Sequence, residues 1–454
     1  MNINTFIFYE NLNDYSFLFL KIIIIITIIL MILILFLFLF PIILYKLLLS
    51  IKYPFWSKQP VFHIHNILYY FTYHKGDYIQ SPDFKPIQKY YHPSKIKLIQ
   101  IDDDFSKLYI IDKYFEIIQK HYLKNKNSKF NPSNKYLNDM INNYGNYIAL
   151  YTGRDILHEK NNSLQITNVR SGLTSKMLMY YTFNKSPLYM NYVDFLCTHT
   201  KYRKQNITPT LIYTFAQSLI QNNKKQYNNS IKSNIFLFKR EEAKHSAIVP
   251  LTWYYNYVFD IKHIRYAYIK HLKNKNNLVY EPRINILTVN DSNYDFFIRT
   301  FEQLKLKTKI LCLGYDVLKH YINSNIIKVH IAYINDNPLA IYVYKNNSLH
   351  YCNKKVFELM SSFELLSSPE YYDKYKGINR NHPLLVDYFY ISCKKLCEEE
   401  ENIGYINIEK LSHNDYIIMD LKSKTEEIHK YINNYYLYNY VLQNTSSNWF
   451  FTIF

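Results

Sequence analysis

The most extreme hydrophobic pattern in the chain comes early. Ile22 to Leu44 gives 23 residues without a charge, interrupted only by Pro41. As a helix, such a run crosses the roughly 30 Å hydrocarbon core of a bilayer. It is longer than the apolar part of a signal peptide, and no small-residue cleavage site follows it. Lys46, Lys52 and Lys58 lie beyond it, whereas Glu10, Asp14 and Lys21 precede it. The positive-inside tendency therefore predicts a single-pass membrane protein with its large C-terminal body in the cytosol.

After this span the apolar positions recur at shorter periods. Tyr114, Phe115, Ile117, Ile118 and Tyr122 have helical spacing, and a basic, Asn-rich loop from Lys124 to Asn131 separates them from a second helix over Tyr136 to Asn143. Strands are predicted at Tyr147–Thr152, Leu164–Val169 and Lys176–Phe183. Tyr192 to Cys197 is short, apolar and aromatic, as a strand requires, and a polar, basic stretch from Thr198 to Asn206 follows. The Thr208 hydroxyl is placed to cap a helix, and Pro209 suits its first position. Leu211, Ile212, Phe215, Ala216, Leu219 and Ile220 then share one helical face. A strand, a basic loop and a helix start together make an anion site: the N–H groups of Asn206 to Thr208 can hold phosphate, and Arg203 and Lys204 add charge. On local pattern alone, an ordinary solvated loop remains the alternative.

Gln221 to Ser233 reads as a solvated loop, and Tyr280-Glu281-Pro282 as a lobe boundary. Helices follow at Tyr294–Leu306 and Gly314–Ile322. Two strands within Asn325–Tyr344 are joined by Asn335-Asp336-Asn337-Pro338, and a helix beginning at Pro383 ends in the acidic run Glu398 to Glu401, read as a solvated face. The chain thus divides into a membrane-anchoring segment (1–52) and two lobes (53–279 and 280–454).

Charge and cysteine usage narrow the function classes. Lys and Arg exceed Asp and Glu by 54 to 36, a net charge of +18 that favours polyanions such as anionic lipid and CoA phosphates. The basic residues are spread among Asn and Tyr, so no nucleic-acid module is specified. Only 7 Gly, with abundant Ile, Asn, Lys and Tyr, matches the codon bias of an AT-rich genome; the 49 Tyr and 29 Phe are therefore poor guides to stacking sites. Five cysteines, an odd and sparse set, argue for a reducing compartment. Cys393 and Cys397 have the wrong spacing for a zinc knuckle, and His63 and His65 lack a second ligand pair, so no metal is expected.

The segment VDFLCTHTKYRKQNITPTLI (193–212) resembles the acyl-CoA-binding stretch of the N-myristoyltransferases in Phe195, Leu196, Cys197, His199, Arg203, Pro209, Leu211 and Ile212. Three further stretches in that family's order support the likeness. YPFWSKQPV (53–61) is similar to its Phe-Trp-x-Thr-Gln-Pro-Val segment at Phe55, Trp56, Gln59, Pro60 and Val61; Val317 to Tyr321 before Ile326-Ile327 is similar to its second-lobe entrance; YYLYNY (435–440) resembles its Tyr-Tyr-Leu-Tyr-Asn-Trp, and 15 residues then run from Tyr440 to Phe454. The resemblance implies an α+β fold of two tandem acetyltransferase-like lobes, a direct transfer from acyl-CoA (myristoyl-CoA), and a monomer. It places the oxyanion donors at the N–H groups of Phe195 and Leu196, and the base at the α-carboxylate of Phe454. CoA phosphates fall to Arg203, Lys204, Gln205, Asn206, Ile207 and Thr208, and acyl-CoA contacts to Phe55 and Trp56. The acceptors are proteins with N-terminal glycine. Cys197 is read as a buried structural thiol rather than an acylated nucleophile.

Two departures accompany it. Phe238, Lys239 and Arg240 stand where that family has Thr-Ala-Gly, with Tyr254 where it has histidine, and no glycine precedes the tyrosines at Glu426 to Tyr431. Three readings follow: an N-myristoyltransferase-like enzyme, a relative with another acyl group or amine, and a membrane-tethered relative that binds acyl chains or N-termini without catalysis.

Overall fold

A computed structural model describes residues 3–72, 76–81, 83–101, 109–123, 128–141, 146–159, 162–183, 185–225, 233–241, 247–274, 285–365 and 384–454. Backbone contacts divide the chain into two compact units, Met1–Gln59 with His63–Ile67, and Pro60–Phe62 with Leu68–Phe454.

The first unit is dominated by helix α1, Ile3–Lys52, which contains Pro41 without ending there. Within it, Phe19–Lys52 is long and apolar enough to cross a membrane, and every side chain from Phe19 to Phe40 is exposed. A helix satisfies its own N–H and C=O groups, so such a segment suits lipid. After a short turn at Trp56–Lys58, the Phe55 and Trp56 rings pack edge to face at 5.0 Å. His63 and His65 do not form a strand; their rings stack at 5.1 Å.

The second unit is a mixed α+β body built on one large sheet. Its first strands are β1 Asp77–Tyr78, β2 Ile96–Gln100, β3 Ser128–Phe130, β4 Tyr147–Glu159, β5 Asn162–Tyr181, β6 Leu188–Thr198, β7 Phe236–Glu241 and β8 Thr252–Asp260. Then follow β9 Asn285–Thr288, β10 Lys309–Cys312, β11 Ile327–Ile334, β12 Asn337–Tyr351, β13 Lys354–Glu364, β14 Ile403–Glu409, β15 His429–Tyr438, β16 Tyr440–Val441 and β17 Phe450–Ile453. Between and around them lie α2 Ile67–Thr72, α3 Tyr109–His121, α4 Asn134–Ile141, α5 Ile207–Lys225, α6 Ile261–Asn274, α7 Tyr294–Lys305, α8 Tyr315–Asn323, α9 Leu384–Glu399 and α10 Asn414–Lys424. The sheet order is β17-β10-β5-β6-β7-β15-β8-β14-β13-β12-β11-β9, with β2 and β4 joined through β5, and β3 on β12. Segments distant in sequence thus alternate across the middle: β15 lies between β7 and β8.

One hydrophobic core gathers α3, α7, α8, β6 and the last strand, including Tyr114, Phe195, Tyr435 and Phe454. A second joins β8, β12, β14, α6, α9 and α10. These cores bring the chain terminus to the centre of the body: Phe450 to Phe454 are all buried.

Three expectations need correction. The strands expected at Leu164–Val169 and Lys176–Phe183 are one continuous strand, β5, because β4 pairs along its first part and β6 along its second. The helix expected to start at Pro209 starts at Ile207; the Thr208 hydroxyl bonds Thr198 Oγ1 at 2.9 Å instead of capping, since a tertiary partner lies within reach. The acidic run after α9 is not simply solvated, because Glu400 meets Lys328 Nζ at 3.1 Å and Glu399 lies 3.5 Å from buried His330. Tyr280-Glu281-Pro282 lies outside the described residues.

Candidate functional site

The site begins where two parallel strands part. β6 and β7 pair only over Asn191–Val193 against Phe236–Phe238. Beyond that point β6 continues against β5 and β7 against β15, which opens a wedge between them. The cause is local: the β5–β6 register slips between Gly172↔Cys197 and Thr174↔Asp194, one extra residue on β6 and so a β-bulge. Phe195 sits in it at φ +48°, a conformation that costs a bulky residue about 1–3 kcal/mol and must be held by its surroundings. The Tyr114 hydroxyl donates to the Phe195 carbonyl at 2.5 Å, and Asp194 Oδ1 accepts from the Phe195 N–H at 2.8 Å. Gly172 opposite is required, because a Cβ there would come within 2.4 Å of the Tyr114 ring.

The bulge aims backbone at the wedge, where Phe195 is buried and Leu196 half-buried. The Phe195 N–H already has a partner in Asp194, so it reaches a substrate oxygen only when that carboxylate turns away. Cys197 is buried, its thiol directed at the Ile117 carbonyl at 3.7 Å, and burial pushes it up to about 11, a poor nucleophile at neutral pH.

The strand end, loop and helix form one hydrogen-bonded piece. Ser171 Oγ links the Cys197 carbonyl and Thr198 Oγ1, which continues to Thr208 Oγ1. Lys204 and Asn206 turn the loop with φ of +66° and +57°, and Arg203, Lys204, Gln205 and Asn206 are all exposed. The first turn of α5 presents the N–H groups of Ile207 and Thr208, while Pro209 has none to offer. Arg203 Nε and Nη2 bond the carbonyls of Thr198 and His121 at 3.2 and 3.1 Å. The guanidinium therefore braces the loop against α3 while keeping its exposed edge for an anion.

The other side of the site is built from side chains. The Lys345 Nζ of β12 donates to a terminal oxygen of Phe454 at 3.0 Å, and loss of water around Lys345 lowers its pKa. The Phe454 ring meets Tyr192 at 4.9 Å and Tyr435 at 6.2 Å. The two departures at Lys239 and Tyr254 converge on one carboxylate: Glu409 Oε1 accepts from Lys239 Nζ and from the Tyr254 hydroxyl, both at 2.8 Å. Glu358 lies 3.7 Å from the same ammonium. Burial opposes the charge on Lys239, but Glu358 and Glu409 outweigh it and hold the amine well above its ordinary value. One cation cannot satisfy two carboxylates, and Glu409, fully buried, is pushed up to about 7 chiefly by burial.

Sequence reasoning singled out Phe195 and Leu196, the basic loop and the chain end, and these lie in one body; the bulge itself it read as plain strand. Phe55 and Trp56 belong to the first unit. It passed over Lys176, Asp194, Lys345 and Glu409. The available signal was a charged residue at an inward position of an otherwise apolar strand, as in Lys176 between Ser175 and Met177. Among the described residues, no group of three or more His, Cys, Asp or Glu side chains is placed to hold a metal ion.

No protein-family model and no curated protein matches the sequence. Solved structures do match the fold. A crystal structure of Saccharomyces cerevisiae N-myristoyltransferase with bound myristoyl-CoA aligns with a TM-score of 0.59 at 14% identity, covering 87% of this chain and 94% of that one. A second such complex gives 0.59 at 12% identity over 90% and 95%. One with myristoyl-CoA and inhibitors gives 0.58 at 14% identity over 88% and 94%. The chain therefore has the N-myristoyltransferase fold, a mixed α+β architecture, preceded by a helix of membrane-spanning length.

Proposed function

We propose that this protein is a membrane-anchored acyl-CoA:protein N-acyltransferase that moves a fatty acyl group, myristoyl, from CoA to the N-terminal glycine amine of a protein. The observation that carries the reading is the parting of β6 and β7 at a bulge on Phe195, directly followed by a basic loop and a helix start. That arrangement can hold a thioester carbonyl at the bulge and CoA phosphates a few residues further on. Phe55 and Trp56 are the additional acyl-CoA contacts that the sequence resemblance implies.

In the proposed mechanism the pyrophosphate rests on the N–H groups of Asn206, Ile207 and Thr208, with Arg203, Lys204 and Gln205 around it. The N–H groups of Phe195 and Leu196 polarise the thioester carbonyl and stabilise its developing negative charge. The acceptor amine attacks directly and expels CoA thiolate, so Cys197 carries no acyl group. The Phe454 carboxylate faces the incoming ammonium, binds it and draws its proton. Residues 53–279 supply the acyl-CoA side and 280–454 most of the acceptor side, both in the cytosol beyond the anchor at about 22–44.

A second reading, transfer to a different amine or binding without transfer, is favoured by one observation. Lys239, in the stretch where the resembled family has Thr-Ala-Gly, and Tyr254, where it has histidine, are both bonded to buried Glu409. One measurement separates the readings: full-length protein in lipid nanodiscs is given myristoyl-CoA and a Gly-starting peptide. Release of free CoA with formation of the N-acyl peptide is expected. Tight myristoyl-CoA binding without CoA release would leave only the second reading.

A further inference from the structure

Lys176 interrupts β5 in a place where charge is costly. It is only 5% exposed, and its Nζ has no hydrogen-bond partner among the described residues. The nearest carboxylate oxygen, Asp194 Oδ2, lies 3.9 Å away. Three rings surround the amine: Tyr192 at 5.4 Å, and Tyr321 and Phe454 each at 5.5 Å. Lys176, Asp194 and Phe195 together line a cavity of about 10 Å³, closed on its other side by Met140, Ile141 and Asn146, which is room for about one water. A buried amine with no hydrogen-bond partner among the described residues therefore borders a cavity that adjoins the bulge, and it lies 5.5 Å from the ring of the terminal phenylalanine.

The charged and titratable groups facing it come from several elements: Asp194 and Tyr192 of β6, Lys239 of β7, Lys345 of β12 and Tyr321 of α8, with the Phe454 ring beside them. Burial dominates, Lys345 and Lys239 add to it and Asp194 opposes it, so the amine is pushed down to about 7. An N-terminal amine has a pKa of about 8, close enough for the Lys176 amine to take over a proton passed on by the Phe454 carboxylate. Lys345 also engages the same carboxylate and competes with a substrate ammonium for it.

We propose, resting on the acyltransferase reading above, that Lys176 is the proton acceptor of the reaction: its neutral ε-amine receives the proton drawn from the substrate ammonium at the Phe454 carboxylate, through the water that its cavity accommodates. The substrate, entering as R–NH₃⁺, loses one proton to Lys176 and becomes the free amine. Its lone pair forms the C–N bond to the thioester carbon, the C–S bond breaks, and the thiolate leaves with the electron pair. A second proton from the nitrogen neutralises the thiolate to CoA–SH, and Lys176 returns its proton to solvent after product release. The chain end binds the ammonium and draws its proton, and Lys176 accepts that proton from there.

The test uses full-length protein in nanodiscs and compares wild type with Lys176→Met and Lys176→Arg. Methionine keeps an unbranched stem without an amine, and arginine keeps the charge but cannot accept a proton at neutral pH. Both variants should bind myristoyl-CoA as wild type does, and both should lose about 100-fold or more in kcat, the scale of one general base. The acid limb of the wild-type kcat profile should fall near pH 7 and move toward the amine's own ionisation near pH 8 in Lys176→Met. Retained kcat with an unchanged acid limb in Lys176→Met would overturn the role of Lys176 while leaving the acyltransferase reading intact. A stable acyl adduct on Lys176, read by intact mass and peptide mapping, would overturn it by making the lysine an acceptor of acyl rather than of a proton. A wild type that binds myristoyl-CoA and never releases CoA would sink both readings together.

Discussion

The two sides of the site are built from different material. The β6 side is made of backbone: a bulge at Phe195, a loop turned by left-handed Lys204 and Asn206, and the first N–H groups of α5. The side proposed for the acceptor is made of buried ionic groups, Lys239, Glu358, Glu409, Lys345 and a terminal oxygen of Phe454. Backbone donors survive almost any change of side chain, provided the bulge and the helix start remain. A side-chain network changes whole, because removing one member strands the others in a water-poor interior.

The largest expected effect breaks the ionic side. Glu409→Ala removes the partner of both Lys239 and Tyr254 and should cost about 3–5 kcal/mol of stability, the scale for breaking a buried pair, read by chemical denaturation. The pH dependence has a definite sign. Because Glu409 holds its proton up to about 7 instead of the ordinary 4.5, its contribution is full below 4.5 and is lost as pH rises through 7. Glu409→Gln should flatten that decline between pH 4.5 and 7; an unchanged decline would assign it to other groups.

Next comes the chain end. Extending the protein by a few residues after Phe454 displaces the carboxylate from Lys345 while keeping every side chain. Turnover should fall by about 10²-fold or more, with myristoyl-CoA affinity nearly unchanged. An extended protein that turns over at the wild-type rate would remove Phe454 from the mechanism.

Arg203→Glu probes the backbone side where it leans most on a side chain. It deletes the brace to Thr198 and His121 and sets a negative charge beside the proposed phosphate position. Affinity for CoA should drop by about 2 kcal/mol, the scale of a charge-assisted hydrogen bond, as isothermal titration would register. Equal affinity would move the phosphate site elsewhere.

Smallest is Cys197→Ala. The thiol bonds the Ile117 carbonyl inside the core and is held protonated by burial. Turnover should stay within a few-fold of wild type, at a stability cost of about 1 kcal/mol for the small cavity. Loss of turnover with normal folding would reinstate a covalent mechanism.

Sequence alone determined whatever depends on neighbours along the chain. The membrane-length helix follows from an unbroken apolar run, and the strand–loop–helix from local apolar alternation and loop polarity. The burial of Phe450 to Phe454 follows from an apolar tail. It misjudged the start of α5 by two residues because Thr208 finds Thr198 across the loop, a partner invisible to local propensity. It saw Lys239 only as a departure from the Thr-Ala-Gly of the resembled family. The structure makes it the centre of an ion network whose other members lie far away in sequence, Glu409 at a separation of 170 residues. Lys345 and Phe454 are likewise 109 apart. Local pattern reports how each segment buries its apolar face. Only the packed sheet, which seats β15 between β7 and β8 and brings the terminus to β12, decides which buried charges meet. That meeting sets their ionisation, because a charge deprived of water depends on its nearest partners.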